Sequence, residues 1–278
     1  MSGAIDGLRD VSRRGLVLLG CGKMGGAMLE GWLARGLAPG DVCVLEPAPG
    51  PRLRELAAQG LHLNTDLPHA PAVCLLAVKP QSMADALPQV AALGGGETLV
   101  ISIAAGTPIV RFEQVLGAAT PIIRAMPNTP AAIGRGITAL VGNDAAGGST
   151  LELAEAVLSA VGQTVRLETE AQMDAVTALS GSGPAYVFHL IECMAVAGAA
   201  EGLPDELALE LAVATVAGAG ALAEAAEEAP AQLRVNVTSP GGTTAAGLTA
   251  LMDDATGLAP LMRQTVAAAA ARSRALRG

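Results

Sequence analysis

Up to about residue 168 the chain alternates short β-rich runs with helical segments, and several of those runs are apolar on both faces. Leu16 to Leu19, Val42 to Leu45, Val73 to Val78, Thr98 to Ile103, Ile122 to Arg124, Ile137 to Val141 and Val165 to Leu167 read as strands. A strand with no polar face has to be covered on both sides, as in a parallel sheet lying between helices. From about Glu170 the strand signals stop and the sequence reads as helix, with loops at 181–184, 202–204, 230 and 236–242. The pattern predicts an α/β domain over 1–168 followed by an all-α domain over 169–278. A length of 278 residues, where a single core stops growing, fits that division.

The later helices carry little charge. Tyr186 to Ala200 has His189 and Glu192 as its strongly polar positions, and Leu211 to Ala223 has none. Helices apolar all round are buried all round, and a domain of roughly 110 residues cannot bury both against itself. Intertwining with a second copy, a homodimer, is the expected solution. The uncharged run at Leu211 to Ala223 is too short to span a bilayer, which predicts no membrane partner. A net charge of −9 gives nucleic acid no basic face. Four scattered Cys without C-x-x-C spacing read as reduced thiols, and no metal site is expected. Residues 1–14 lack an apolar signal core and read as a flexible, cytoplasmic N-terminus.

Gly20-Cys21-Gly22-Lys23-Met24-Gly25 follows the strand Gly15 to Leu19 and opens a helix running to about Arg35, the context that makes G-x-G-x-x-G a dinucleotide fingerprint. Gly20 makes the turn, Gly22 lets a pyrophosphate approach, and Gly25 lets helix and strand pack, so the first domain is Rossmann-type. Glu46 ends the second strand, where a carboxylate takes the ribose hydroxyls. Lys79, one of only two Lys, stands at the tip of the Val73 to Val78 strand. Ser102 to Gly106 ends the next strand with small residues that let backbone touch a nicotinamide ring, and Arg124 to Pro130 adds a proline-stiffened loop.

Asn236 to Thr244 interrupts the helical half with a loop suited to an anion. Ser239 and Pro240 set a turn, Gly241 and Gly242 allow positive φ and close approach, and Thr243 and Thr244 restart a helix. Unpaired N–H groups at that helix start hold a carboxylate or phosphate without a basic side chain, and Thr244 offers a hydroxyl beside it. The plainer alternative is an ordinary turn with Thr as helix cap.

Taken in order, GCGKMG at 20–25, AVKPQ at 77–81, SIAAG at 102–106, RAMPNTPA at 124–131, LSGSGPAYVF at 179–188 and NVTSPGGTT at 236–244 closely resemble the pyrroline-5-carboxylate reductases. The resemblance implies reduction of 1-pyrroline-5-carboxylate to proline by NADH or NADPH, a helical dimerisation domain and often a ring of dimers. It places the active site between the nucleotide domain of one subunit and helices of its partner. Gly20 to Gly25, Asn64, Ala77, Val78, Lys79, Ala105 and Asn236 then look like cofactor contacts. Ser239, Gly241, Gly242, Thr243 and Thr244 look like the substrate pocket, with Thr244 catalytic. Where NADPH-using members carry a small polar or basic residue this chain has Glu46, which favours NADH; Arg52 and Arg54 downstream are the groups able to clamp a 2′-phosphate instead.

The chemistry asks little of titratable side chains. A protonated cyclic imine is already electrophilic, so the protein has to place its C5, anchor the carboxylate and manage one proton, for which Thr244 is the candidate. His62, His69 and His189 form no catalytic constellation, and Ser180 and Ser182 read as shaping a helix start. Two other readings stay open: a β-hydroxyacid dehydrogenase, whose family uses a lysine in the helical part that this chain lacks, and a non-catalytic dinucleotide-binding scaffold.

Overall fold

The computed structural model describes residues 3–276, with side chains from Leu8 onward. The chain divides into two compact units: one runs to Gly181 and takes up the chain again from Ala270, and the other is Ser182–Ala269.

In the first unit the strands are β1 (Leu16–Leu19), β2 (Val42–Leu45), β3 (His62–Leu63), β4 (Val73–Leu76), β5 (Leu99–Ser102), β6 (Ile122–Met126), β7 (Gly136–Gly142) and β8 (Gly162–Arg166). Among the described residues they form one sheet in the order β3–β2–β1–β4–β5–β6–β7–β8. Its helices are α1 (Gly3–Arg14), α2 (Lys23–Ala34), α3 (Pro51–Ala58), α4 (Met83–Ala86), α5 (Ile109–Leu116), α6 (Gly148–Leu158) and α7 (Met173–Val176). Alternate residues of each strand point to opposite faces. Leu16, Leu18, Val44 and Leu75 pack in one core with Trp32 and Val157, while Val17, Leu19, Leu76 and Val100 pack in a second with Phe112 and Leu116. Two covered faces are why the strands lack a polar side.

All neighbouring strands are parallel except β6 and β7, which pair antiparallel. No helical crossover separates those two: the connection holds a single 3-10 turn at Thr129–Ile133, and a short link permits antiparallel pairing. The edge strand β8 starts earlier than its one apolar residue, Val165, suggested, because its largely exposed side chains need not be apolar. Residues 3–14, expected as a flexible terminus, form α1, and Leu8 and Val11 are buried in the core against α6. The first unit continues past residue 168 because Met173 and Ala178 are fully buried. It also includes the end of the chain: Ser273 Oγ donates to Asp174 Oδ1 at 2.8 Å, with both residues buried.

The second unit contains α8 (Gly183–Ala200), α9 (Asp205–Ala225), α10 (Pro230–Asn236), α11 (Thr243–Leu251) and most of α12 (Leu258–Ala275). α8 and α9 pack on each other, with Gly198 beside Leu203 and Ala208. α8 has no buried residue and α9 only Ala208 and Ala212, so Phe188 (59 %), Val196 (71 %) and Leu222 (56 %) lie exposed on the single chain. Counting uncharged residues underestimated these helices. Asp205, Glu206 and Glu210 lie at the start of α9 and Glu224 at its end, yet an 18-residue window of this 21-residue helix has a mean hydropathy of 1.5, long and apolar enough to cross a bilayer.

Candidate active site

The carboxyl ends of β1 and β4 lie side by side at the point where strand order reverses, the place where open α/β sheets bind ligands. A cleft of about 540 Å³ opens there. Gly20 and Gly22 line it from the fingerprint, Glu46 and Asn64 from the β2 side, and Ala77, Val78 and Lys79 from the end of β4.

Steric conditions explain two of the three fingerprint glycines. Gly20 has φ +87°, and a Cβ there would lie 2.7 Å from Val78 Cγ1; a Cβ on Gly25 would lie 2.6 Å from the Gly20 carbonyl oxygen. Gly22 is different, since no heavy atom lies within 4 Å of its Cβ position. The fold does not demand glycine at that point. Open space over the start of α2, whose N-cap is Gly22 with no side-chain cap, fits a phosphate held by backbone N–H groups.

Glu46 is held on all sides. Its Oε2 accepts the Cys21 N–H at 2.8 Å and its Oε1 the Ala48 N–H at 3.1 Å. Asn64, in the left-handed region with φ 53°, grips the Glu46 backbone by accepting its N–H and donating to its C=O, both at 2.9 Å. Burial, with Glu46 and Glu30 adding to it, pushes the Cys21 thiol up to about 11, so it stays protonated at neutral pH. Cys21 should therefore resist iodoacetamide at pH 8 while free thiol is consumed; rapid modification seen by peptide mapping would contradict this.

Other expected contacts lie elsewhere. Lys23 borders a separate shallow groove with Gly26 and Glu30, and Met24 packs against the core, so within the fingerprint the backbone faces the cleft. Ala105 is half-buried in the loop after β5 and is not part of the cleft wall. Pro47, Ser82, Asp85 and Gln89 do line it, on segments that carry no motif by which sequence could single them out.

In the second unit Asn236 ends α10, its Oδ1 accepting from Gln232 at 2.8 Å. Gly241 has φ +70°. Gly242, in extended backbone, is the N-cap of α11, and its N–H donates to the Ser239 carbonyl at 3.1 Å. No side chain caps this helix. Thr243 and Thr244 are exposed and already inside its first turn, so the alternative of a threonine cap does not hold. Open N–H groups with a hydroxyl beside them can receive a small carboxylate. No cluster of three metal-ligating side chains occurs among the described residues.

A doubly wound sheet, a glycine fingerprint at its switch point and an acid after β2 define the NAD(P)-dependent oxidoreductases of Rossmann type. Residues 15–106 match the profile of coenzyme F420-dependent NADP oxidoreductases, and residues 170–276 match that of pyrroline-5-carboxylate reductase dimerisation. The chain is 38% identical to the pyrroline-5-carboxylate reductase of Pseudomonas aeruginosa, with 93% of this chain and 95% of that one covered. It is 42% identical to that of Synechocystis sp., with 91% and 96% covered. The solved reductase of Coxiella burnetii superposes with a TM-score of 0.88 at 33% identity, over 95% of this chain and 99% of that one. The Plasmodium falciparum pyrroline carboxylate reductase, solved with NADP bound, gives 0.79 at 26% identity, over 95% and 98%. The chain belongs to the pyrroline-5-carboxylate reductase family.

Proposed function

We propose that this chain performs its family's reaction, reduction of 1-pyrroline-5-carboxylate to proline by NAD(P)H, with NADH as the preferred donor. The open space at Gly22, beside uncapped N–H groups at the β1/β4 switch point, carries the assignment of the dinucleotide to the Gly20–Lys79 cleft. The reduced nicotinamide supplies the hydride. First-turn N–H groups of α11 anchor the substrate carboxylate, the Gly241–Gly242 backbone leaves room for it, and Thr244 hydrogen-bonds the ring nitrogen. Asn236 serves as a further cofactor contact. An assay of NADH and NADPH oxidation with pyrroline-5-carboxylate tests the reading; no turnover with either would reject it in favour of a binding scaffold.

The NADH preference rests on what surrounds Glu46. The Plasmodium protein was solved with NADP, so a 2′-phosphate is compatible with the fold. Here the turn after β2 reads Glu46-Pro47-Ala48-Pro49-Gly50-Pro51: three of its positions have no N–H, and the Ala48 N–H is used by Glu46 itself. Arg52 is engaged by both carboxylate oxygens of Glu30, at 2.7 and 3.0 Å. A phosphate about 4 Å from Glu46 meets a repulsion near 4 kcal/mol per charge at an effective dielectric of about 20, cut by solvent to roughly 1–2, or about 5- to 30-fold in affinity. Glu46→Ser should shift kcat/KM toward NADPH by about that factor. A wild type favouring NADPH tenfold, unchanged by the substitution, would place Glu46 outside the ribose pocket.

We further propose that α8 and α9 are covered by a second subunit rather than by lipid, giving an obligate dimer that assembles into larger rings in the cytoplasm. The match to a dimerisation profile over 170–276 supports this.

A further inference from the structure

Among the described residues two buried side-chain polar atoms lack a hydrogen-bond partner, Arg124 Nη2 and Ser180 Oγ. Arg124 is 1% exposed, in the middle of β6, where it pairs in register with Ser102 of β5. Its Nη1 donates to Glu170 Oε1 at 2.7 Å, and the same oxygen accepts the Ile109 N–H at 3.0 Å, the first residue of α5. Stability does not account for this arrangement, because an apolar residue in place of a buried ion pair is often neutral or stabilising, and a buried donor left unmade is a penalty.

What the guanidinium does is join three segments. β6 leads directly into the Met126–Pro130 loop. α5 begins just after the Ser102–Gly106 loop. Glu170 opens the stretch ending in the turn at Thr177–Gly181, which packs on the last residue of β6, where the first loop starts, since a Cβ at Gly181 would lie 2.6 Å from Met126 Cε. Both loops leave the carboxyl edge of the sheet, the edge that holds the dinucleotide cleft.

We infer that Arg124 is a positioning residue for hydride transfer: through Glu170 and the start of α5 it fixes the Ser102–Gly106 and Met126–Pro130 loops against each other. The inference rests on the reading that these loops face the nicotinamide and substrate. A misplacement of about 1 Å in a reacting pair can lower the rate on the order of 100-fold without touching ground-state binding.

The test uses the full-length enzyme with pyrroline-5-carboxylate and NADH, ordinary and deuterated at the transferred position. Arg124→Met should lower kcat about 10- to 100-fold, leave the KM for NADH within about threefold, and raise the primary isotope effect on kcat as hydride transfer becomes limiting. Its melting temperature should fall, because Glu170 keeps its charge without its partner. Glu170→Gln keeps an acceptor for Ile109 N–H and Arg124 while removing the charge. It should show the same signature at about 3- to 10-fold, and it decides the matter if Arg124→Met does not fold. An unchanged kcat and isotope effect in the folded variant would overturn the inference, as would a loss of activity that follows only the folded fraction. A wild type without turnover would instead reject the functional reading itself.

Discussion

Val213→Asp is expected to give no active enzyme: the chain should aggregate or elute as a misfolded species, without the dimer of the wild type. Val213 is 47% exposed on the single chain, on a helix that buries only Ala208 and Ala212. A second subunit laid over that face would surround the new carboxylate with apolar atoms, and an unpaired charge in such a setting is destabilising by several kcal/mol, enough to dissociate most interfaces. Val216, half-buried on the same helix, should respond alike. Light scattering coupled to size exclusion, with circular dichroism for fold, reads the outcome. A wild type that is a stable monodisperse monomer, or a Val213→Asp enzyme that stays dimeric and active, would remove the basis for the interface.

Thr244→Ala should lower kcat/KM by roughly 10- to 1,000-fold, the range for losing a positioned hydrogen-bonding or proton-handling group, with NADH affinity nearly unchanged. The hydroxyl lies in the first turn of α11, capped by Gly242 and not by the threonine, so removing it should leave the helix start intact. Trp32, the single tryptophan, is fully buried in α2, and energy transfer from it to NADH gives the binding control. An active Thr244→Ala enzyme would leave substrate placement to the backbone loop alone.

Much of this was legible in sequence because short-range conditions wrote it. Gly25 is forced by its contact with the Gly20 carbonyl inside one strand–turn–helix, Gly20 turns with a positive φ, and doubly covered strands show as apolar runs. The apolar surface of α8 and α9 was equally readable. What stayed hidden depends on residues far apart in the chain. Nothing local announces that Asn64 will adopt a left-handed backbone to clasp Glu46, or that Arg52 will be taken by Glu30. Arg124 reads as one residue of a loop motif, and its pairing with Glu170 appears only when β6 and α7 share a core. The strand β8 escaped its true bounds because an edge with exposed side chains carries no apolar signature.

The hydrogen bond from Ser273 to Asp174 bears on how the protein is made. Most of the nucleotide-binding unit precedes the helical unit in the chain, yet the last turns of α12, which follow it, belong to the nucleotide-binding unit and lie over its buried aspartate. The two halves of the gene product therefore cannot mature one after the other as separable modules. Completion of the amino-terminal unit waits for the residues from Ala270 onward, and so comes only after every apolar residue of α8 and α9 has been synthesised.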